Sequence, residues 1–252
     1  MSTIARVGLI IPSSNRMVEQ EMAQFFPAGV VPHVARLRMT GPHHVALDAL
    51  LPHIEDAARM LRDARCDVIA FHCTATSMED GMAGEERVLA ALTQAGAPRA
   101  TTTATAIRRA FAALAARRIV LVTPYDAATT AAEAEFLRAA GCEVLHAVGC
   151  ALAGSDAYCA TPPAFWRDQV AAAARPEADA YLLSCANIAA LGIIAALEAR
   201  LDRPVVTSNQ AVIWDALVRI GFEGMSGCPG RLFAAAGTVP ALPLPALAGR
   251  GS

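Results

Sequence analysis

Asp67-Val68-Ile69-Ala70-Phe71-His72-Cys73 and Asp179-Ala180-Tyr181-Leu182-Leu183-Ser184-Cys185 are one pattern met twice, at an offset of 112 residues. Each begins with an aspartate, continues as a short unbroken apolar run, and ends in a polar residue and a cysteine. Apolar runs of this length, without polar alternation, suit strands of a parallel sheet buried on both faces. A second match, Arg6-Val7-Gly8-Leu9-Ile10-Ile11-Pro12 with Arg118-Ile119-Val120-Leu121-Val122-Thr123-Pro124, has the same offset. Two separate motifs sharing one offset indicate a duplicated unit. A looser third match pairs Pro98–Phe111 with Pro204–Leu217 at offset 106.

Outward from these runs, strand-like and helix-like segments alternate. Strands are expected at Val7–Ile11, Val34–Leu37, Val68–Phe71, Thr101–Thr103, Ile119–Thr123, Val144–Val148, Ala180–Leu183 and Val205–Thr207. Helices are expected over a segment capped by Ser13-Ser14-Asn15 and reaching Phe26, then at Leu47–Arg65, Glu85–Ala95, Ala104–Ala116, Ala127–Ala140, Phe165–Ala174, Ile188–Arg200 and Ala211–Ile220. The stretches Arg38–Val45 and Ala151–Pro163 read as loops, and the Ala-, Gly- and Pro-rich stretch from about Phe233 reads as a loose tail. The class is α/β, with two similar lobes. In open sheets of this kind ligands bind at the carboxyl ends of the strands. Both cysteines occupy such ends, so two lobes facing each other would present two thiols to one cleft.

The bulk properties exclude several classes. The chain has 252 residues, 55% of them hydrophobic and 17% charged, with a net charge of −2. No stretch of about 18 or more apolar residues is free of charge or turn residues, so no membrane span is expected. There is no block of like charge to favour nucleic acid or anionic lipid. Seven cysteines, none in a CxxC spacing, argue against zinc and against disulfide staples. Met1–Arg6 leads directly into a strand and does not read as a signal peptide, so a cytoplasmic location is expected. No glycine-rich phosphate fingerprint is present, and no cofactor or metal is expected. The apolar helix faces suit a homodimer.

Cys73 and Cys185 are the candidate catalytic residues. A cysteine at a strand end, ahead of a helix start, is well placed to become a thiolate. Two such thiols across a planar carbon can serve as nucleophile and acid, or as base and acid. For either cysteine alone, simple packing is the competing reading; the symmetric pair favours catalysis. Thr74, Thr76 and Ser77 follow Cys73, whereas Ala186 and Asn187 follow Cys185, so Cys73 is expected to be the thiolate and Cys185 the protonated acid. Pro12-Ser13-Ser14-Asn15 opens the first helix and suits a carboxylate, although its side chains could equally serve as helix caps. Tyr125, in the equivalent turn of the second lobe, could donate to the same substrate or pack. Ser14, Asn15, Thr74, Tyr125 and Asn187 are the candidate substrate-binding residues. His72, adjacent to Cys73 along a strand, should face the other way and is read as structural. Cys66, Cys142, Cys150, Cys159 and Cys228 are assigned to packing or chance.

These residues resemble the aspartate/glutamate racemase superfamily, in the branch of maleate cis-trans isomerases and arylmalonate decarboxylases. The resemblance spans about residues 4–233. It rests on Gly8–Asn15 with Glu19, Cys73-Thr74, Thr123-Pro124-Tyr125, Ser184-Cys185, Leu201–Asn209 through Trp214-Asp215, and Gly230–Phe233. It implies two flavodoxin-like lobes, no cofactor, and a small carboxylic acid substrate. It further implies a last helix near Ala211–Ile220 that crosses back onto the first lobe, so that the lobes comprise 1–96 plus about 209–252, and 97–208. In the isomerases the first-lobe cysteine adds to the alkene and the second handles the proton; here those would be Cys73 and Cys185, with Asn15 and Tyr125 holding carboxylates. In the decarboxylases the first cysteine is replaced by glycine, so Cys73 points to an isomerase of a maleate-like diacid. A racemase or decarboxylase acting at an acidic carbon is the alternative, and a non-catalytic small-acid binding protein a further one. One departure stands out: the Asp-Asn pair usual in the isomerases is replaced by Gly154-Ser155-Asp156-Ala157-Tyr158.

Overall fold

The structure is a computed structural model in which residues 4–39, 45–222, 225 and 228–235 are described. The first sheet comprises β1 (Ala5–Pro12), β2 (Val30–Leu37), β3 (Val68–Phe71) and β4 (Ala100–Thr102), with helices α1 (Val18–Phe25), α2 (Leu47–Asp63), α3 (Thr74–Met78), α4 (Gly81–Gln94) and α5 (Thr103–Ala113). The second comprises β5 (Arg118–Thr123), β6 (Glu143–Gly149), β7 (Ala180–Leu183) and β8 (Val205–Thr207). Around it lie α6 (Ala127–Ala139), α7 (Gly154–Ala160), α8 (Pro163–Ala172), α9 (Ile194–Leu201), α10 (Ser208–Arg219) and α11 (Arg231–Ala234). The two strand orders are β2-β1-β3-β4 and β6-β5-β7-β8, parallel throughout.

The duplication seen in sequence is kept in the strand register. Val7 pairs with Val68 in one sheet and Ile119 with Ala180 in the other, both shifted by 112. The repeated aspartates explain themselves: Asp67 accepts from the Arg6 backbone N–H at 2.8 Å, and Asp179 from those of Arg117 and Arg118 at 3.0 and 2.8 Å. Each therefore locks the start of a strand to its neighbour. The third match is one residue out of register. Phe71 pairs with Thr102 and Leu183 with Thr207, which sets the offset there at 105, and both threonines cap the helix that follows.

In each sheet the order reverses between the first and third strands, β1 and β3 or β5 and β7. This is the crevice where open α/β sheets bind ligands. The central strands are buried on both faces, and one apolar core runs from Val7, Leu9 and Ile11 through α5 and α10 to β5, β7 and β8. As expected, α10, although it follows the second sheet, packs on α5 and β3 of the first.

Several boundaries differ from the sequence reading. The first helix starts only at Val18, because the Asn15 carboxamide ties down the preceding turn. β2 is twice as long as expected, paired with β1 over its full length. Part of the expected loop 151–163 is helix α7, and the expected helix from Ile188 begins only with a 3-10 turn at Leu191–Ile193. The expected tail is helical at Arg231–Ala234; its remainder, and residues 40–44 of the Arg38–Val45 loop, lie outside the described residues. No described helix is long and apolar enough to cross a membrane.

Candidate active site

The two cysteines are delivered by the same backbone geometry. The His72 N–H extends the β3–β1 pairing to the Ile10 carbonyl at 2.8 Å, and the Ser184 N–H extends β7–β5 to Val122 at 2.8 Å. Side chains alternate along an extended chain, so His72 and Ser184 turn into the protein while the next residue, the cysteine, turns the other way. Both cysteines line a cleft of about 390 Å³, solvent at its mouth included, together with Ser14, Asn15, Thr74, Tyr125 and Asn187. All seven sequence-derived candidates are thus brought together. Pro12, Ala75 and Ala186 also line it, as do Ser155 and Tyr158 of α7, from the stretch expected to be a loop.

The surroundings of the thiols differ. Cys73 is 8% exposed and stands at the N-terminus of α3, with its Sγ 3.3 Å from the Thr76 hydroxyl. Burial pushes its pKa up, while the Thr76 hydroxyl and backbone N–H, both donating to a thiolate, pull it back. The other hydroxyls credited with stabilising a thiolate are engaged elsewhere: Thr74 donates to Ser208 at 2.9 Å and Ser77 to the Thr74 carbonyl at 2.8 Å. The expected resting thiolate at Cys73 is accordingly not what this geometry favours, since the net displacement is upward. Cys185, 4% exposed, receives the Tyr125 hydroxyl and the Asn187 N–H, the latter at 3.3 Å. Burial outweighs both donors and pushes Cys185 up to about 12, so it holds its proton at neutral pH. Each sulfur lies close enough that a charge on Cys73 would raise Cys185.

Tyr125 is held firmly. Its N–H donates to Thr123 Oγ1 at 3.2 Å, its carbonyl accepts from Ala151 at 2.9 Å, and its ring meets Tyr158 edge-on at 5.8 Å. Gly149 makes the turn possible, because a Cβ there would lie 2.8 Å from the Tyr125 carbonyl.

The first-lobe turn is clasped to the second lobe. Asn15, 2% exposed, donates from Nδ2 to the Ala186 carbonyl at 2.9 Å and accepts at Oδ1 from Met17 and Val18 at 3.1 and 3.0 Å. Asn187 Oδ1 accepts from the Arg16 N–H at 2.9 Å. Ser155 donates to Ser14 at 2.9 Å, and Arg16 pairs with Asp156 at 2.5 Å on the surface. Asn15 therefore does the capping work weighed in the sequence reading, with one Nδ2 proton left over. Cys159 lies on α7 rather than in a loop, 3.1 Å from Asn187 Oδ1.

His72 faces away from the cleft, fully buried between Thr103 (2.9 Å) and Asn209 (2.8 Å). Burial lowers its pKa to about 4, so it is neutral, and its role is structural. Asn209 in turn donates to Glu21 at 2.6 Å. No group of three or more His, Cys, Asp or Glu side chains suited to a metal occurs among the described residues.

Residues 7–233 match the family model for arylmalonate decarboxylase. The arylmalonate decarboxylase of Bordetella bronchiseptica is 31% identical over 235 residues, which cover 90% of this chain and 95% of that one. Among solved structures, the maleate cis-trans isomerase of Nocardia farcinica bound to TRIS superposes with a TM-score of 0.82 at 27% identity, over 94% of this chain and all of the other. A cysteine-to-serine mutant of that isomerase, carrying a covalently bound succinylcysteine intermediate, superposes with a TM-score of 0.82 at 26% identity, over 91% and 98% of the two chains. A match over nearly the whole length, on a fold with the same two facing lobes, settles kinship: the chain belongs to the arylmalonate decarboxylase family.

Proposed function

We propose that this protein is a cofactor-independent cis-trans isomerase of a small unsaturated dicarboxylate such as maleate. The observation that carries the reading is the pair of buried cysteines at equivalent strand ends, lining one cleft from the two lobes. In the proposed reaction Cys73 first releases its proton to water, and the resulting thiolate adds to one alkene carbon. A carbon–sulfur bond forms and the π pair moves onto the neighbouring carbon, conjugated with its carboxylate. Cys185, held protonated by burial, supplies a proton to that carbon. Rotation about the new single bond, return of the proton to Cys185 and expulsion of Cys73 give the trans diacid. The Ser14 hydroxyl, Asn187 and the free Nδ2 proton of Asn15 are the donors we assign to the carboxylates. Thr74 and Tyr125 line the cleft beside them, and their hydroxyls, given to Ser208 and Cys185, would turn to the substrate only by leaving those partners. Kinship with an isomerase trapped as a succinylcysteine supports the adduct.

The second reading is decarboxylation of an arylmalonate, favoured by the 31% identity to such an enzyme. In that reaction Cys185 alone would protonate the carbanion and Cys73 would be dispensable. Proton NMR of maleate incubated with the protein tests the first reading through the appearance of fumarate; release of carbon dioxide from phenylmalonate tests the second. A racemase would instead exchange a substrate proton for solvent deuterium with no adduct.

We further propose two lobes, with about 209–252 belonging to the first, a homodimer in solution, and a cytoplasmic location. The packing of α10 on α5 and β3 supports its place in the first lobe, but β4 pairs with β3 of the first sheet, so the boundary falls after α5 rather than at 97. Seven unpaired cysteines suit a reducing compartment.

A further inference from the structure

Beneath the cysteine pair lies a carboxyl group that the reaction above does not use. Glu133, on α6, is 1% exposed. Its Oε2 accepts from the Ser184 hydroxyl at 2.7 Å, and Ser184 is the neighbour of Cys185. Its Oε1 has no partner among the described residues. The duplication supplies a comparison. At offset 112 the first lobe carries Glu21, also buried, whose carboxylate accepts from the Ala190 and Leu191 N–H groups at 2.8 and 2.9 Å and from Asn209 at 2.6 Å. Glu21 is satisfied as a structural clasp. Glu133, with one hydroxyl donor, is not, and a buried carboxylate with so few donors favours its neutral form.

Position gives this group a role. A charge on Glu133 would raise the pKa of Cys73, of Cys185 and of Tyr125. Among the described residues no arginine or lysine lines the cleft; Arg16, next to Asn15 of the lining, is turned to Asp156 at the surface. A thiolate and an anionic substrate would therefore meet an ionised Glu133 with no compensating charge.

We propose that Glu133 is a positioning residue for the cysteine pair: as a neutral acid, protonated on Oε1 and anchored by Ser184, it leaves the site free to carry a negative charge on Cys73. Burial raises its pKa to about 8, in line with that state at neutral pH. The titratable groups facing it are Cys73 ahead of α3, Cys185 after β7 and Tyr125 after β5. Helix α4 brings Glu85, engaged by Arg108, Thr102 and Thr105, and the exposed Glu86 and Arg87; Glu79 lies at the end of α3. Strand β6 brings Glu143 and His146. None of these governs Glu133, which responds to burial and to Ser184.

The role builds on the two-cysteine reading, and the test needs no substrate, so its outcome is separate from that of any turnover assay. Iodoacetamide alkylation of Cys73, followed by peptide mass, is measured from pH 6 to 10 in the unaltered protein and in Glu133→Gln. Gln keeps the size and the Ser184 contact but cannot ionise. The thiolate-dependent rate rises in both, and above about pH 8 it falls behind in the unaltered protein, by about tenfold at the top of the range. Ser184→Ala provides a second arm. It removes the one donor to the ionised carboxylate, so the pH at which the rate falls behind moves upward. Superimposable profiles for the unaltered protein and Glu133→Gln would overturn the proposal. If Glu133→Gln does not fold, a profile left unmoved by Ser184→Ala would do so.

Discussion

Replacing Asn15 by Ala separates a structural clasp from a substrate ligand. The substitution removes three hydrogen bonds from a side chain that is 2% exposed. One joins the lobes, Nδ2 to the Ala186 carbonyl at 2.9 Å, and two tie the turn to the start of α1, from Met17 and Val18. The orphaned carbonyl costs about 1–3 kcal/mol, and the lost cap about 1 kcal/mol. Together they amount to roughly 2–4 kcal/mol. For a chain of this size each kcal/mol moves Tm by about 2–4 °C, so Asn15→Ala should unfold on the order of 5–15 °C below the parent by calorimetry at pH 7. Asn15→Asp keeps the acceptor for Met17 and Val18 but loses the donor to Ala186, and should fall between. Because Ala186 adjoins Cys185, turnover should drop at least about tenfold in both. An Asn15→Ala protein that unfolds within about 1 °C of the parent would refute the clasp. If it were also inactive, Asn15 would be acting through the substrate alone.

Further outcomes can be measured directly. His72 has its folded pKa lowered to about 4 against an ordinary 6.5, so the unfolded chain binds the extra proton between those values; stability is complete above about pH 6.5 and is lost as pH falls toward 4. Urea unfolding of His72→Gln should show a flatter dependence across that window, and an unchanged slope would contradict a neutral buried histidine. Glu133 works in the opposite sense. Its folded pKa of about 8 exceeds the ordinary 4.5, so stability falls as pH rises between them, and Glu133→Gln should gain over the parent at pH 9 relative to pH 5 in the same assay. Tyr125→Phe deletes a donor to Cys185, which should lower turnover by about tenfold or more while leaving the unfolding midpoint nearly unchanged; full activity would remove Tyr125 from the site. At pH 7.5 iodoacetamide should label Cys73 ahead of Cys185, since Cys185 is pushed to about 12, and equal labelling would contradict that asymmetry.

What was legible in the sequence follows from what repetition makes visible. Asp67–Cys73 and Asp179–Cys185 announce two strands, their register and the residues that leave their ends, because a strand end fixes side-chain direction two residues on. The crossing of α10 onto the first lobe came from the family resemblance, and the structure has it. Other features were hidden for physical reasons. Helix α7 has Gly154 and Ser155 at its start, the chemistry of a turn, and only packing against Ser14 and Asn187 makes it part of the cleft. The hydroxyls after Cys73 gave no sign of which would face the sulfur; on one helical turn Thr76 does, while Thr74 and Ser77 turn to other partners. Glu133 sits in an alanine-rich amphipathic helix, where a glutamate ordinarily marks the solvent face. Its signal was available in the duplication itself, since Glu21 stands at the same offset of 112.

In the proposed reaction Cys73 becomes covalently attached to the substrate while Cys185 manages the proton. The most direct measurement is the intact mass and peptide map of Cys185→Ser after incubation with maleate. One added maleate is expected on the peptide that carries Cys73, and none when Cys73 is also replaced by Ala. Maleate converted to fumarate with no adduct on Cys73 in any variant, or full turnover by Cys73→Ala, would contradict it.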